Sequence, residues 1–339
     1  MPRGNAGAEG QEWVGRPVLV TGAGGFIGSH LAEALVRAGA SVRAFVRYTS
    51  RGDCGWLEPR ETEIAREIEI FRGDLANPEA VGGAVEGREV VFHLGALIPI
   101  PYSYRHPREF VAANVVGTLN VLEAVRRAGT SRVVQTSTSE VYGTAVTVPI
   151  TEEHPLHAQS PYAATKVAAD QLALSYHSSF ETPVVIARPF NTFGPRQSAR
   201  AVIPTIVTQA LAREEIALGA THTTRDFLYV EDNVAGIMRC GAVDGIDGEV
   251  LNLGTGVEVS IGDLVERVLR LLDRDVSVVL DEQRLRPRAS EVERLVADAT
   301  KARRLLGWKP EVDLERGLVR TVDWLTGALD SYKTSAYNV

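Results

Sequence analysis

Five residues, Pro17-Val18-Leu19-Val20-Thr21, form an apolar run that ends directly in Gly22-Ala23-Gly24-Gly25-Phe26-Ile27-Gly28. Residues 29–37 then carry helical periodicity, and Gly39 closes the segment. A buried strand, a glycine-rich turn and a helix in that order constrain the fold more than any other feature of the chain. The order turns a weak glycine pattern into the opening βα unit of a dinucleotide-binding sheet. Gly22 and Gly25 permit a tight turn and close backbone approach to a pyrophosphate. Gly28 lets the helix lie against the sheet, with its N-terminus facing the phosphates. The spacing Gly-x-x-Gly-x-x-Gly departs from the commoner Gly-x-Gly-x-x-Gly, although Gly24 blurs the difference; the bland alternative is an ordinary tight βα turn.

The same alternation continues. Ser41-Val42-Arg43-Ala44-Phe45-Val46-Arg47, Ile68-Glu69-Ile70-Phe71-Arg72-Gly73-Asp74-Leu75, Val90-Val91-Phe92-His93-Leu94-Gly95-Ala96 and Arg132-Val133-Val134-Gln135 all read as strands. Strand, turn and helix alternate from residue 17 to about 190, the pattern of an α/β, Rossmann-type doubly wound parallel sheet. After Arg188-Pro189 the segments become shorter and more irregular. The expected organisation is therefore a lead at 1–16, a dinucleotide-binding domain at 17–190 and a tail at 331–339. Between them, residues 191–330 form a smaller C-terminal α/β substrate-binding lobe from which the chain returns to the first domain. Residues 1–16 contain no apolar core of the kind a secretory signal needs, so the lead is expected to be flexible. The net charge of −7 argues against nucleic acid as a partner. No run approaches the ~20 apolar residues that span a bilayer. Cys54 and Cys240 offer neither a disulfide framework nor metal-ligand spacing. A soluble, reduced, cytoplasmic protein without a metal is expected.

Arg47 stands where an NAD-specific protein usually places an acidic residue for the ribose hydroxyls, with Tyr48, Thr49, Ser50 and Arg51 behind it. Arginine and small hydroxyls suit a 2′-phosphate, which favours NADP over NAD; a solvated strand-end charge is the alternative. Asp74 is placed to contact adenine or to cap the following helix. His93 reads as a packed strand residue. The small residues after it, including Ala96, let a cofactor pass close to the backbone. Residues 107–128 read as one long helix, and a buried Asn114 on it needs partners.

Thr136-Ser137-Thr138-Ser139-Glu140 lays hydroxyls and a carboxylate at the C-terminal end of a strand, where open α/β sheets hold ligands. Downstream, Tyr162 and Lys166 are four residues apart on an expected helix and share one face. Lys166 is the only lysine in the first 300 residues; the others are Lys301, Lys309 and Lys333. A chain that otherwise uses arginine but keeps this lysine needs a compact ammonium there. Such a cation would draw the Tyr162 phenol down toward neutrality and make it a general base for an alcohol. Alone, a Tyr-x-x-x-Lys match is weak. Arg225, Arg284, Arg286 and Arg288 could clamp phosphates, or could be surface charges.

Five ordered motifs span residues 18–324: Thr21-Gly22-x-x-Gly25-x-x-Gly28, Gly73-Asp74-Leu75, Ser137-Thr138, Tyr162-x-x-x-Lys166, and Arg188-Pro189-x-Asn191-x-x-Gly194-Pro195. Together they resemble the extended short-chain dehydrogenase/reductase superfamily, in its NAD(P)-dependent nucleotide-sugar epimerase/dehydratase branch. The resemblance implies Tyr162 as base toward a sugar hydroxyl, Lys166 binding ribose and tuning Tyr162, and Thr138 orienting the same hydroxyl. It implies a recycled NADP or NAD bound by Gly22, Gly25, Phe26, Ile27, Gly28, Arg47, Asp74, Leu75, Leu94, Ala96, Asn114, Tyr162 and Lys166. A nucleotide-diphosphate sugar would be held by Asn191, Arg196, Arg225, Arg286 and Arg288. The family usually forms homodimers by packing two helices from each subunit; the apolar positions Val115, Val116, Leu119, Val121 and Leu122, with the helix at 167–176, could supply that face or could be core.

Glu140 separates the possible reactions. Two residues past Thr138, a carboxylate can remove the C5 proton once C4 is a ketone; loss of the C6 hydroxyl and return of hydride then give a 4-keto-6-deoxy sugar. Thr138-Ser139-Glu140 resembles the triplet of GDP-mannose 4,6-dehydratases, which use NADP. Other 4,6-dehydratases carry Asp as the acid where Ser139 stands here, so Glu140 is expected to serve both steps. The wider sequence resembles dehydratases acting on nucleotide-linked N-acetylglucosamine in legionaminic-acid-type pathways. UDP-glucuronic acid decarboxylases share Thr-Ser-Glu; a 4-epimerase, a 5,6-dehydratase and a non-catalytic dinucleotide-sensing protein are the other readings.

Overall fold

The computed structural model describes residues 11–58 and 63–332. Its centre is a parallel sheet of seven strands. Six are β1 (Pro17–Thr21), β2 (Ser41–Arg47), β3 (Glu69–Gly73), β4 (Val90–His93), β5 (Arg132–Thr136) and β6 (Val184–Pro189). Their spatial order is β3-β2-β1-β4-β5-β6, and Val250–Leu253 closes the far edge beside β6. The order reverses between β1 and β4, which is where such sheets open a ligand crevice at their C-terminal ends.

Alternate strand residues feed two helical layers, as the two-residue period requires. Val18, Val20, Val90 and Phe92 pack in one core with the helices Phe26–Arg37 and Val230–Ala242. Leu19, Val91, Val133 and Val184 pack in the other, with Val81, Val121 and Ala173 from the helices on that side. β5 and β6 are buried along their whole length, so adjacent apolar residues such as Val133-Val134 and Val184-Val185-Ile186 replace alternation, and the polar Arg132, Gln135 and Arg188 are buried with them.

Beyond β6 the strands are short. Asn191–Phe193 pairs with Phe227–Tyr229, Thr224–Arg225 lies between Val259–Ser260 and Arg294–Leu295, and Glu215–Leu218 pairs with Ser277–Leu280. Of these pieces, Asn191–Phe193 borders the cleft, through Asn191 and Thr192.

Three expectations change in detail. Of the lead, residues 1–10 lie outside the described part, but Trp13 is a core residue at 2% exposure, its ring 5.7 Å from Phe92. One indole buries enough apolar surface to anchor so short a segment, and Arg16 adds an ion pair to Glu89 at 2.7 Å. At the other end, the tail beyond residue 332 lies outside the described part, while Tyr332 donates to the Gln197 carbonyl at 2.7 Å. The helix expected at 107–128 is continuous but not uniform: Pro107–Phe110 is α-helical, Val111–Val116 is a π turn, and Gly117–Ala128 is α-helical again. Such turns concentrate at functional sites, and this one holds Asn114. Of the apolar stripe on this helix, Val121 and Leu122 are core, whereas Val116 is exposed. Among the described residues, no helix is long and apolar enough to cross a membrane.

Candidate active site

A cleft of about 730 Å³ opens at the C-terminal ends of β1, β4, β5 and β6. The glycine-rich turn forms one end. Gly22 takes φ +68°, and a Cβ there would lie 2.8 Å from the Gly95 nitrogen, so the turns after β1 and β4 touch backbone to backbone. A Cβ on Gly28 would lie 2.3 Å from the Gly22 carbonyl, which is why the helix can start tight against the strand. Gly25 caps that helix with no side-chain hydrogen bond, leaving the first amides free for an anion. Gly24 has its own role: a Cβ would collide with the Cys54 carbonyl at 2.6 Å, and Trp56 N–H donates to the Gly24 carbonyl at 3.0 Å. A segment running from Thr49 to Leu57 thus lies along the turn, and Thr49, Asp53, Cys54 and Gly55 line the cleft with Val46 and Arg47.

Tyr162 and Lys166 sit on the Pro161–Phe180 helix, 7% and 5% exposed, and both face the cleft. Thr138 begins the short turn Ser139–Tyr142, and its Oγ1 accepts the Glu140 N–H at 3.2 Å. The Thr138 hydroxyl proton is therefore free to point at the Tyr162 phenol. Ser139, buried, and Glu140 line the same cleft.

The electrostatics correct one expectation. Tyr162 is not drawn toward neutrality: burial, with Ile100 and Phe110 packed against it, pushes its phenol well above the ordinary value. The Thr138 contact opposes this, while Glu140 and Asp170 add to it. Lys166 bears the cost of the same burial, its ammonium lowered to about 8, with Asp170 as the opposing charge. Its Nζ donates to the Thr136 carbonyl at 2.7 Å. The reason is general: desolvation disfavours both charged forms, and only a partner brought into the cleft reverses that balance.

The anion-binding candidates separate. Arg286 lines the cleft, its Nη1 3.7 Å from Glu140 and 3.9 Å from Glu291, with no hydrogen bond of its own. Asn191 also lines it, with a buried, unpartnered Oδ1. Arg225 is buried just outside the lining; it donates to its neighbour Thr224 at 2.8 Å and lies 3.8 Å from Glu291. Arg288 is exposed and lines no part of the cleft. Arg196 lies apart: it pairs with Glu33 at 2.9 Å and reaches Ser29 Oγ at 3.2 Å, tying the connection after β6 to the first helix. Glu33 is buried on that helix and needs a partner, so Arg196 is drawn away from the ligand. Arg284, by contrast, pairs with Asp281.

On the cofactor side, Phe26, Ile27, Leu94 and Ala96 line the cleft; Asp74 and Leu75 do not. Asp74 accepts the Ala76 N–H at 2.9 Å, and the cap of the next helix is Asn77, not Asp74. Leu75 packs under Gly95 and Gly117. Asn114 acts from behind. It accepts the Leu97 N–H at 2.8 Å and donates to the Leu97 carbonyl at 2.9 Å and to Thr165 Oγ1 at 3.0 Å.

Sequence reasoning missed the rest of this network. Thr21 Oγ1 accepts the N–H groups of Leu94 at 3.1 Å and Gly95 at 3.0 Å and touches His93 Nδ1 at 2.8 Å. His93 Nε2 meets Thr118 Oγ1 at 3.1 Å, and Thr118 spends its proton on the Asn114 carbonyl at 2.7 Å. Nε2 must then be the donor. Burial holds His93 down to about 3, so it is neutral, and Thr21 donates to Nδ1. Thr165 ends the chain on the Tyr162 carbonyl at 2.7 Å. A second missed element is Asp170, one turn beyond Lys166 on the same helix face, which accepts from Ser137 at 2.8 Å and from Arg188 at 3.0 Å. The four-residue spacing from Tyr162 through Lys166 was the available signal.

The residues present fit a dinucleotide. A Cβ would fill the cradle at Gly22 and Gly28, and four residues that line the cleft, Thr136, Asn191, Gln197 and Arg286, each hold a buried polar atom without a partner.

Comparison with known proteins agrees. The model of the GDP-mannose 4,6 dehydratase family matches residues 19–321. A UDP-glucose 4-epimerase of Mycolicibacterium smegmatis is 35% identical over 314 residues, 90% of this chain and 97% of that protein. An epimerase structure from Methanothermobacter thermautotrophicus superposes with TM-score 0.89 at 32% identity, covering 99% of each chain. A dTDP-glucose 4,6-dehydratase from Streptomyces venezuelae, with NAD and TYD bound, superposes with TM-score 0.85 at 31% identity, covering 94% of this chain and 99% of that one.

Proposed function

The chain belongs to the nucleotide-sugar epimerase/dehydratase family of extended short-chain dehydrogenases/reductases, and on that footing we propose that it is a nucleotide-sugar 4,6-dehydratase acting on an NDP-N-acetylhexosamine. The observation that carries the reading is Glu140, a carboxylate in the same cleft as Tyr162 and Thr138.

A bound nicotinamide supplies reversible hydride transfer, from C4 of the sugar and back to C6. Tyr162 takes the C4 hydroxyl proton, with Thr138 holding that hydroxyl. Lys166, brought into contact with ribose, lowers the cost of the phenolate. Glu140 takes the C5 proton that the C4 ketone has acidified, and with no aspartate beside it, Glu140 in its protonated form also delivers a proton to the departing C6 hydroxyl. Ser139 is too weak an acid for that step.

Support for an acylated amino sugar comes from the part of the cleft wall at Ile100-Pro101, where Ile100 packs against Tyr162. Prolines have no N–H, Asn114 takes both polar groups of Leu97, and the carbonyls of Pro99 and Ile100 accept from Ser103. A sugar hydroxyl set against the proline rings or these engaged carbonyls would lose its partner, at about 1–3 kcal/mol; an acetamido methyl loses nothing. Arg47 at the end of β2, in the cleft beside Thr49, supports NADP. A homodimer through the exposed side of the 107–128 and Pro161–Phe180 helices, where Val111, Val116 and Phe180 are exposed, completes the proposal.

One observation favours a second reading. Arg286 lies 3.7 Å from Glu140, where it could hold the C6 carboxylate of a glucuronate for decarboxylation. Mass spectrometry of reactions with UDP-, GDP- and CDP-N-acetylglucosamine, GDP-mannose and UDP-glucuronate separates the readings. Loss of about 18 mass units from an N-acetylglucosamine nucleotide is expected. Loss of carbon dioxide from the glucuronate would replace dehydration with decarboxylation, and no mass change would leave epimerisation or simple binding. Glu140→Gln should retain C4 oxidation and lose solvent deuterium exchange at C5; normal exchange would remove Glu140 from its role.

A further inference from the structure

A second chamber of about 310 Å³ opens beside the cleft, and Arg47, Ala96, Ile98, Pro99 and Arg200 line both spaces. The two arginines come to it from segments far apart in the chain. Arg47 ends β2, whereas Arg200 belongs to the connection after Asn191–Phe193 that leads into the helix Val202–Ala212. Both are exposed, and neither makes an ion pair among the described residues. Arg200 Nε meets only the neighbouring Ser198 Oγ, at 3.2 Å. Some exposed arginines are paired, as Arg320 with Glu231 at 2.9 Å and Arg294 with Glu258 at 2.7 Å; Arg51 and Arg288 are also exposed without an ion pair among the described residues, but they line neither space. The chamber's carboxylate, Glu109, is already engaged, by the Tyr102 hydroxyl at 2.9 Å and His106 Nδ1 at 3.8 Å. Two guanidinium groups without an ion pair on one small chamber suit an anion of high charge density. A phosphate monoester carries roughly two negative charges at neutral pH.

We propose that Arg47 and Arg200 form a two-part clamp for the 2′-phosphate of a bound NADP. The clamp rests on the NADP reading above and adds that half of the recognition comes from the substrate side of the cleft. A dinucleotide with its pyrophosphate at the start of the Phe26–Arg37 helix carries its adenosine ribose toward the end of β2, beside Arg47. Arg200 then closes on the phosphate from the connection after Asn191–Phe193 and makes that connection part of the cofactor site.

Titration calorimetry of the full-length chain with adenosine 2′,5′-bisphosphate, ADP and UDP-N-acetylglucosamine tests this. The wild type should bind the 2′-phosphorylated ligand at least about 10-fold more tightly than ADP. Arg200→Ala should cut that preference as strongly as Arg47→Ala, with ADP affinity unchanged. If Arg47→Ala abolishes the preference and Arg200→Ala does not, the clamp is wrong and the NADP reading stands. If the wild type shows no preference, both fall. If Arg200→Ala weakens only UDP-N-acetylglucosamine, Arg200 serves the sugar nucleotide and the clamp is overturned. Both side chains are exposed, so an unchanged Tm is expected and separates these outcomes from misfolding.

Discussion

Two sets of buried polar groups flank Tyr162, and they differ in one respect. The chain from Thr21 through His93, Thr118 and Asn114 to Thr165 ends on the Pro161–Phe180 helix, and every side-chain polar atom in it has a partner. The set that faces the cleft, Thr136, Asn191, Gln197 and Arg286, holds atoms with none. The residue types overlap. What separates the sets is which of them the fold has completed. A completed network is rigid and sets where Tyr162 stands; an incomplete one keeps a desolvation penalty that a ligand relieves. The first should therefore report in stability, the second in binding.

Tyr162→Phe is the sharpest departure, because it belongs to neither set: a rate loss of about 10²–10⁴ with Tm nearly unchanged is expected from steady-state kinetics and calorimetry. A large Tm change would mean that the phenol is structural.

His93→Leu should come next. It leaves Thr21 and Thr118 without their partner, at about 2–4 kcal/mol of stability by denaturant titration. The wild type should also carry an acid signature that the variant loses. His93 has a folded pKa of about 3 against an ordinary 6.5, so the unfolded chain binds the extra proton. Stability therefore falls as pH drops through that window, by an amount on the order of 4 kcal/mol in total. Equal acid slopes in the two proteins would break the distinction between the sets.

Arg286→Ala should weaken nucleotide-sugar binding by about 10–100-fold, or 1.4–2.8 kcal/mol, and change Tm little, since its Nη1 has no hydrogen bond to lose. Arg127→Ala, on the exposed end of the 107–128 helix with only a surface pair to Glu123, should cost under about 0.5 kcal/mol and leave binding untouched.

Much of this was legible. Each strand of the sheet up to β6 was visible as an apolar run beside turn residues, and Tyr162, Lys166, Thr138 and Glu140 do meet in one cleft. Legibility failed where a role depends on a distant partner. Arg196 and Arg286 are alike as sequence, yet one is bound to Glu33 and the other faces the cleft. Leu75 looked like a cofactor contact because it follows Asp74, and it proves to be packing under Gly95 and Gly117. Trp13 looked like part of a loose lead because nothing local holds it; its partner, Phe92, is far along the chain.

By itself, then, the sequence determined what short-range physics determines. Period, turn chemistry and helix spacing act over a few residues, and they set the strands, the glycine turn and the shared face of Tyr162, Lys166 and Asp170. Tertiary structure alone decided which charges are spent and which are free, and the direction in which Tyr162 and Lys166 shift. Those outcomes follow from burial and from contacts between segments up to 227 residues apart, as Arg239 with Glu12. Desolvation and pairing depend on what surrounds an atom, and no local pattern encodes that.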